Sequence, residues 1–275
     1  MPSITASPTR FGPDTYPPGG FRVNRVAPTA PLRWLRAGWT DFVSMPGHSL
    51  LYGALLALGC LLVANLARQQ PQLVFGFVTG LLLIGPFLAI GLYEASRRRE
   101  AGEPASIGAS IGRIRQRLFP IGLLAIVLGF VMIAWLRLSS LVVALKLGAI
   151  APSVEAYTTR ILYSADGVVA LLLLFGLGCA LAAAVFVTCV ISLPMLLDHE
   201  IDPVSATLTS VNAVTSNPRP MLIWAGMIVG LNAVGIASVF VGMVVVFPVL
   251  GYASWHAYRE LVACTPYQRS ILPPN

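Results

Sequence analysis

Five stretches of the chain contain no Asp, Glu, Lys or Arg, and they limit the fold more than any other feature. They cover residues 42–67, 69–93, 118–136, 167–197 and 220–258. About 20 apolar residues cross a bilayer as a helix, so each stretch is long enough, or nearly so, to form a span. Inside lipid the backbone must satisfy its own hydrogen bonds, and long continuous apolar runs do so as helices. The sequence therefore predicts an all-α, polytopic membrane protein.

The overall composition excludes an ordinary soluble domain and a nucleic-acid-binding protein. Charged residues make up 11% of the chain and hydrophobic residues 56%, with a mean hydropathy of +0.79. A soluble domain carries roughly 25% charged residues. The net charge of +7 comes from bases that stand in loops beside the apolar runs rather than on one soluble face. The expected partner is the lipid bilayer, and no nucleic acid is expected.

The last apolar stretch is too long for one span and long enough for two. Residues 232–235 (Asn-Ala-Val-Gly) supply turn residues near its middle. We predict six transmembrane helices, forming three hairpins, over residues 48–67, 72–96, 119–138, 167–197, 219–234 and 237–259. This transmembrane domain covers residues 32–262. The proline-rich residues 1–31 predict a disordered cytoplasmic tail, and residues 263–275 a short second tail.

The distribution of basic residues favours six spans over five. With six spans and the N-terminus inside, 14 arginines lie on the inner side and 4 basic residues on the outer side. With five spans the split weakens to 12 and 6. Because short cytoplasmic loops carry an excess of Lys and Arg, we expect a multi-pass protein of the bacterial inner membrane with both termini in the cytoplasm.

Three of the apolar runs end alike, with one proline followed within about two turns by polar or charged residues. These prolines are Pro86, Pro194 and Pro248, and a helix break is expected at each. A more polar lead-in segment precedes each hairpin, over residues 36–42, 106–118 and 204–216. Apolar residues at three- and four-residue spacing predict amphipathic helices on the inner face. Residues 138–150 either extend the preceding span or lie flat in the interface.

Polar residues at which the three repeats differ are the candidate functional positions: Glu94, Arg97, Asp198, His199, Asp202 and His256. Glu94 precedes Arg97 by three residues, so an ion pair within one helix is expected, whereas an unpaired buried carboxylate would favour ion coupling. Asp202 directly precedes Pro203 and is expected to cap the helix that begins there.

Catalytic and cofactor sites have little support in the sequence. The histidines are His48, His199 and His256, all near inner span ends, whereas transmembrane haem needs ligands that face one another. Neither an HExxH nor a P-loop pattern is present. We therefore predict a protein that is not an enzyme and holds no metal or cofactor. Four tryptophans are expected in the aromatic belt at the inner interface: Trp34, Trp39, Trp224 and Trp255.

Five segments together resemble the bacterial integral-membrane family catalogued as domain of unknown function 2189. They are residues 34–42, 85–94, 193–198, 210–225 and 248–259. The resemblance covers roughly residues 30–262. It implies a six-helix inner-membrane protein without an established activity, and some members carry a cytochrome c oxidase label.

Two functions follow as hypotheses. Short loops, many small residues and the absence of a catalytic set favour a non-enzymatic scaffold or accessory subunit of a membrane complex, such as a respiratory one. Its partner would be another membrane protein or a second copy of the chain. The alternative is a transporter of small solutes or lipids, because transporter sites often lie at broken helices.

Overall fold

The structure is a computed structural model that describes residues 21–69, 85, 87–104, 106–147, 159 and 162–264. Within these residues almost all regular structure is helical. The helices are α1 (Ala30–Ser44), α2 (Pro46–Gln69), α3 (Ile90–Glu100), α4 (Ile107–Gln116), α5 (Leu118–Leu147), α6 (Ala165–Cys189), α7 (Ser192–Asp198), α8 (Pro203–Ser216), α9 (Pro218–Ala237) and α10 (Met243–Leu261). Two short strands, β1 (Phe21–Val23) and β2 (Val262–Cys264), form an antiparallel pair.

Four helical segments of the described chain are long and apolar enough to cross a membrane. They are Pro46–Asn65, Leu118–Lys146, Ala165–Asp198 and Pro218–Ala237. They coincide with four of the six expected spans. The second expected span, 72–96, lies largely outside the described residues, and α10, which replaces the sixth, has a polar C-terminal half.

Helix α5 decides between the two alternatives for the segment after Arg137. The helix continues without interruption to Leu147, so residues 138–147 extend it. Residues 148–150 lie outside the described part of the chain. The first helix of the second hairpin is therefore about 30 residues long, which exceeds the roughly 20 that a bilayer core requires.

The turn of the last hairpin lies further along the chain than predicted. Asn232 remains inside α9, because its side-chain amide donates to the carbonyl of Ile228 at 2.8 Å instead of starting a turn. The turn occupies residues 238–242, where Val239 and Phe240 have positive φ angles of 55° and 65°. The prediction that residues 219–234 and 237–259 form the hairpin was wrong at both inner boundaries.

The prolines of the three endings act differently. Pro194 lies in the first turn of α7, and the chain leaves the helical path just before that helix begins, as expected for a break. Pro248 lies inside α10, which continues to Leu261, so the predicted break there was wrong. It removes one hydrogen bond and frees the carbonyl of Val244. Pro86 lies outside the described residues.

Helix α10 is the centre of the fold, and glycines let its neighbours approach closely. A Cβ on Gly53 of α2 would overlap the carbonyl oxygen of Val244, the same carbonyl that Pro248 leaves free. A Cβ on Gly38 of α1 would lie 2.5 Å from the carbonyl oxygen of Val249. Backbone therefore packs against backbone on two sides of α10, and only glycine fits at these positions.

The first two proline-linked endings meet at α10, which itself contains the third ending. Every residue of α3 from Ile90 to Ser96 is buried, and so is every residue of α7 from Ser192 to Leu197. Both helices contact each other and the C-terminal half of α10. The repeated ending is thus an architectural device, because it builds one shared core.

Each lead-in helix packs against one of the three endings, and the pairing of the first helix with the last closes the arrangement into a ring. Helix α4 packs on α3, α8 packs on α7, and α1 packs on α10. In the first two pairs the lead-in follows its ending directly in the chain. In the third pair the first helix of the chain packs against the last. The strands β1 and β2 pair next to this contact, with Phe21 opposite Cys264, and complete the closure.

The residues next to this closure correct the prediction that residues 1–31 form a disordered tail. Phe21 is buried, the backbone N–H of Asn24 donates to the carbonyl of Leu261 at 2.8 Å, and α1 begins at Ala30. The second expected tail, 263–275, likewise starts within β2. Residues 21–24 show no apolar periodicity. They are ordered because they form hydrogen bonds with residues 261–264, at the far end of the chain. Residues 1–20 and 265–275 lie outside the described part.

Three of the four tryptophans expected at the interface are core residues instead. Trp34, Trp224 and Trp255 are at most 1% exposed, whereas Trp39 is 51% exposed. The rings of Trp34 and Trp224 meet edge to face at 5.7 Å between centroids. Large aromatic rings bury much apolar area and favour such geometry, so these residues join α1 to α9.

We expect Gly53→Ala to destabilise the protein by about 2 kcal/mol, because the added methyl group overlaps the carbonyl of Val244. The measurement is the midpoint of thermal unfolding in detergent. Gly59→Ala on the same helix is the matched control, since its Cβ would meet nothing within 4 Å. The control should be neutral or stabilising by up to about 1 kcal/mol. Equal effects of the two substitutions would contradict the close packing of α2 on α10.

Candidate functional site

Polar and ionisable side chains from four helices meet near the C-terminal ends of α1, α3, α7 and α10. We call this group the junction cluster. Its members come from α1, α3, α10 and the end of α7: Asp41, Ser96, Arg99, Glu100, Asp198, His199, His256, Tyr258 and Arg259. Most of these contacts join residues that are far apart in the chain.

Asp41 anchors one side of the junction cluster. Its carboxylate is 1% exposed and accepts hydrogen bonds from the Ser96 hydroxyl and the Arg99 guanidinium of α3. The Nε2 atom of His256 on α10 lies 3.0 Å from the same carboxylate. One buried acid therefore joins α1, α3 and α10. Such a charge is stable only with its partners in place, since an uncompensated buried charge is strongly destabilising.

Glu100 continues the cluster from His256 towards α7. Its carboxylate lies 3.7 Å from Nδ1 of His256 and 3.2 Å from Nε of Arg259. Arg259 also reaches Asp198, with 3.5 Å between Nη1 and Oδ2. Acidic and basic groups thus alternate along the cluster, which lets each charge be compensated by its neighbours.

Asp198 anchors the other side of the cluster, at the C-terminus of α7. It accepts a hydrogen bond of 2.8 Å from the Tyr258 hydroxyl, and Nε2 of His199 lies 3.3 Å away. Arg113 of α4 donates to the backbone carbonyls of Leu197 and Asp198 at 3.2 and 3.1 Å. A cation at this position satisfies the free carbonyls of the helix end and complements its dipole.

The surroundings of His199 favour its neutral form. Burial lowers its pKa below the ordinary value of 6.5, and the nearby cations act in the same direction, while Asp198 opposes them. Its ring packs against Phe21 of β1 at 4.9 Å between centroids. This histidine therefore connects the strand pair to the junction cluster.

Glu94 and Arg97 form a bidentate ion pair next to the junction cluster. The two nitrogen–oxygen distances are 2.7 and 2.8 Å, and Glu94 is 1% exposed. The hydrogen bonds to Glu94 raise the pKa of Arg97. Of the two readings of Glu94, the structure shows the ion pair within one helix. A paired carboxylate has no free charge for coupling to an ion.

Asp202 lies outside the junction cluster and caps α8. Its carboxylate accepts a hydrogen bond of 2.9 Å from the backbone N–H of Ser205, as expected from the sequence. The hydrogen bonds from Ser205 lower the pKa of Asp202. This residue therefore organises the start of a lead-in helix rather than the cluster.

The structure brings together Asp198, His199 and His256, and it adds residues that the sequence did not single out. Five of these carry the cluster's remaining polar contacts: Asp41, Arg99, Glu100, Tyr258 and Arg259. Asp41 could have been found, because it lies seven residues after Trp34 and three after Gly38, on the buried face of α1. The others depend on which helices are neighbours, which helical periodicity does not reveal.

The arrangement of the junction cluster is better suited to holding its helices together than to binding a ligand. Among the described residues, no group of three or more His, Cys, Asp and Glu side chains could hold a metal ion. His199 and His256 contact different carboxylates, and His48 stacks on Tyr52 at 4.7 Å between centroids. The ion pairs and hydrogen bonds of the cluster hold four helices in fixed positions relative to one another.

We expect Glu94→Gln to destabilise the protein by about 3 kcal/mol, because it leaves Arg97 partly buried without its counterion. Thermal unfolding in detergent measures the effect. Glu103→Gln is the control, since Glu103 pairs with Arg98 but is 48% exposed. An exposed pair of this kind contributes at most about 1 kcal/mol. A neutral Glu94→Gln would show that the pair does not stabilise α3.

We also expect stability to fall on acidification through about pH 6.5, in part because of His199. Its pKa is lower in the folded protein than its ordinary value of 6.5, so the unfolded chain takes up a proton first. The loss should level off below the folded-state pKa. Unfolding midpoints measured between about pH 7.5 and pH 5.5 should therefore fall less in His199→Asn than in the unsubstituted protein. Identical pH profiles would exclude this residue as a source of the pH dependence.

Comparison with known proteins agrees with the membrane architecture. No curated protein and no solved structure matches the chain. A family model described as "Predicted integral membrane protein (DUF2189)" matches residues 73–198, which include α3 to α7 and most of the first and second endings. The similarity to this family of predicted integral membrane proteins thus covers somewhat less than half of the chain.

Proposed function

We propose that the protein is a non-enzymatic scaffold or accessory subunit of a larger complex in the bacterial inner membrane. The observation that carries the proposal is the small share of the membrane helices that is buried within the described part of the chain. Only 22% of the most apolar window of Leu118–Lys146 and 17% of that of Ala165–Asp198 are buried. Each of the two helices contacts the other more than it contacts any further helix, and most of the remaining surface is a large apolar face for lipid or for a partner.

Glycines on the exposed faces support helix–helix association. Gly122 and Gly129 of α5 stand seven residues apart, and a Cβ at either position would meet nothing within 4 Å. Residues seven apart lie on one face of a helix. Glycine costs helix stability relative to alanine, and within the described chain no neighbour requires it here. In membranes small residues let a second helix approach closely, which is how a partner would use this face.

The junction cluster supports a structural role as well. Its acids are compensated by cations or hydrogen-bonded by hydroxyl groups, and its helices pack closely on one another. A reacting group or a transport site must be free to meet its substrate, whereas these groups are already engaged. The cluster would keep the core rigid while the outer hairpin makes contacts.

The proposed topology has six spans and cytoplasmic termini. Residues 72–96 would supply the second span and α10 the sixth. The lead-in helices and the junction cluster would face the cytoplasm. The support is the concentration of arginines at that end of the described chain, which agrees with the excess of positive charge in cytoplasmic loops.

We expect the protein to purify in mild detergent as an oligomer or with a membrane-protein partner. The double variant Gly122→Ile and Gly129→Ile should lose that association at unchanged thermal stability, because the new side chains meet no intramolecular neighbour. Size-exclusion chromatography with light scattering and mass spectrometry gives the readout. Ile126→Leu on the same helix is the control and should retain the association. A strictly monomeric protein without partners would overturn the proposal.

A transporter of small solutes or lipids is the second candidate. The interruption between α6 and α7 and the proline inside α10 both lie next to the core, and broken helices form the sites of many transporters. This role would require the Glu94–Arg97 pair to open during transport. Loss of ion-coupled uptake in Glu94→Gln, with retained expression and folding, would favour it over the scaffold.

A further inference from the structure

The arginines at the end of the molecule that holds the junction cluster fall into two groups. Seven of them bind a carboxylate or a backbone carbonyl: Arg33, Arg97, Arg98, Arg99, Arg113, Arg117 and Arg259. Five others have no such contact within the described part of the chain: Arg22, Arg25, Arg36, Arg115 and Arg219. All five are exposed.

The carboxylates that the structure describes at the same end are all engaged. Seven bind a cation: Asp41, Glu94, Glu100, Glu103, Asp198, Glu200 and Glu260. Asp202 caps α8. The five unpaired arginines therefore form an excess of positive charge that no described acidic side chain compensates. A partner for them must be anionic and must come from outside the described chain.

Three of the unpaired arginines lie next to exposed apolar residues on helices that lead into or begin a membrane span. Arg36 follows Leu32 by four residues and precedes Trp39 by three, and both neighbours are more than half exposed. Because residues three and four apart share a helix face, these side chains form one surface stripe. The opposite face of α1 is buried against α10, so this stripe is the outer face of the helix.

The same pattern occurs in the other two repeats. Arg115 follows Ile111 by four residues on α4, and Leu118 is the first residue of the next helix, α5; both of these apolar side chains are exposed. Arg219 precedes Leu222 by three residues, and Leu222 is 74% exposed. Arg115 lies three residues before α5, Arg219 lies in the first turn of α9, and Arg36 lies ten residues before α2; all three of these helices are apolar enough to span the membrane.

We infer that Arg36, Arg115 and Arg219 bind the phosphate groups of anionic phospholipids in the leaflet next to the junction cluster. The apolar neighbours would enter the acyl boundary, while the arginine stems lie along them and the guanidinium groups reach the headgroups. Arginine suits this role because its planar fork of N–H donors matches phosphate oxygens. The inference rests on membrane insertion and not on the scaffold role.

The test is native mass spectrometry of the full chain in neutral detergent, with phosphatidylglycerol or phosphatidylcholine titrated in. We expect tighter binding of phosphatidylglycerol, and an apparent affinity that falls roughly fivefold for each arginine replaced by Gln. The triple variant Arg36→Gln, Arg115→Gln and Arg219→Gln should lose on the order of a hundredfold. Its unfolding midpoint in detergent without added lipid should not change, because none of the three has a partner to lose in the described chain.

Arg137→Gln is the matched control. Arg137 is also exposed and unpaired among the described residues, but it lies within α5, away from the junction cluster. This variant should keep the full preference for phosphatidylglycerol. Equal binding of both lipids, or equal losses in Arg137→Gln and in the triple variant, would overturn the inference. So would full competition by millimolar inorganic phosphate, which would identify a site for a soluble anion, or by a short RNA, which would identify a general polyanion surface.

Discussion

The buried carboxylate of Asp41 is the interaction on which the arrangement of the core depends. It is almost inaccessible to solvent, and its compensating groups belong to two other helices, Arg99 and Ser96 on α3 and His256 on α10. A charge in such a place is tolerated only when all of its partners are present. The first lead-in helix is therefore fixed by electrostatics at one point and by the backbone contact at Gly38 nearby.

The packing around Asp41 also explains how α10 can carry a polar C-terminal half. Its C-terminal half carries Tyr252, His256 and Arg259, residues that are costly on a surface exposed to lipid. Protein surrounds this half of the helix: α1 packs on it through Gly38, the Ser49 hydroxyl of α2 lies 3.0 Å from that of Tyr252, and α3 and α7 cover the rest. The apolar α5–α6 hairpin shows the opposite combination, because few of its side chains have protein neighbours.

Two features of the sequence were sufficient to predict the helical class, four of the membrane helices and all three lead-in helices. They are the length of the stretches without charged residues and the helical spacing of apolar residues. The cap at Asp202 and the Glu94–Arg97 pair were also predictable, since both depend on residues three positions apart. Contacts between distant segments were not. The burial of Trp34 and Trp224, the pairing of β1 with β2 and the partners of Asp41 all require knowing that the first and last helices touch. Local pattern also could not tell that Pro248 would stay inside a helix, because the freed Val244 carbonyl faces Gly53 on another element.

The contact between α1 and α10 has a consequence for the order in which the protein is made. A ribosome completes α1 more than 200 residues before His256 and the strand Val262–Cys264 emerge. Until then the apolar face of α1 and the charge of Asp41 lack the surface that covers them in the finished fold. Contacts between segments this far apart form late and slow the folding of a chain. The core around α1 can therefore close only after the last helix has been made.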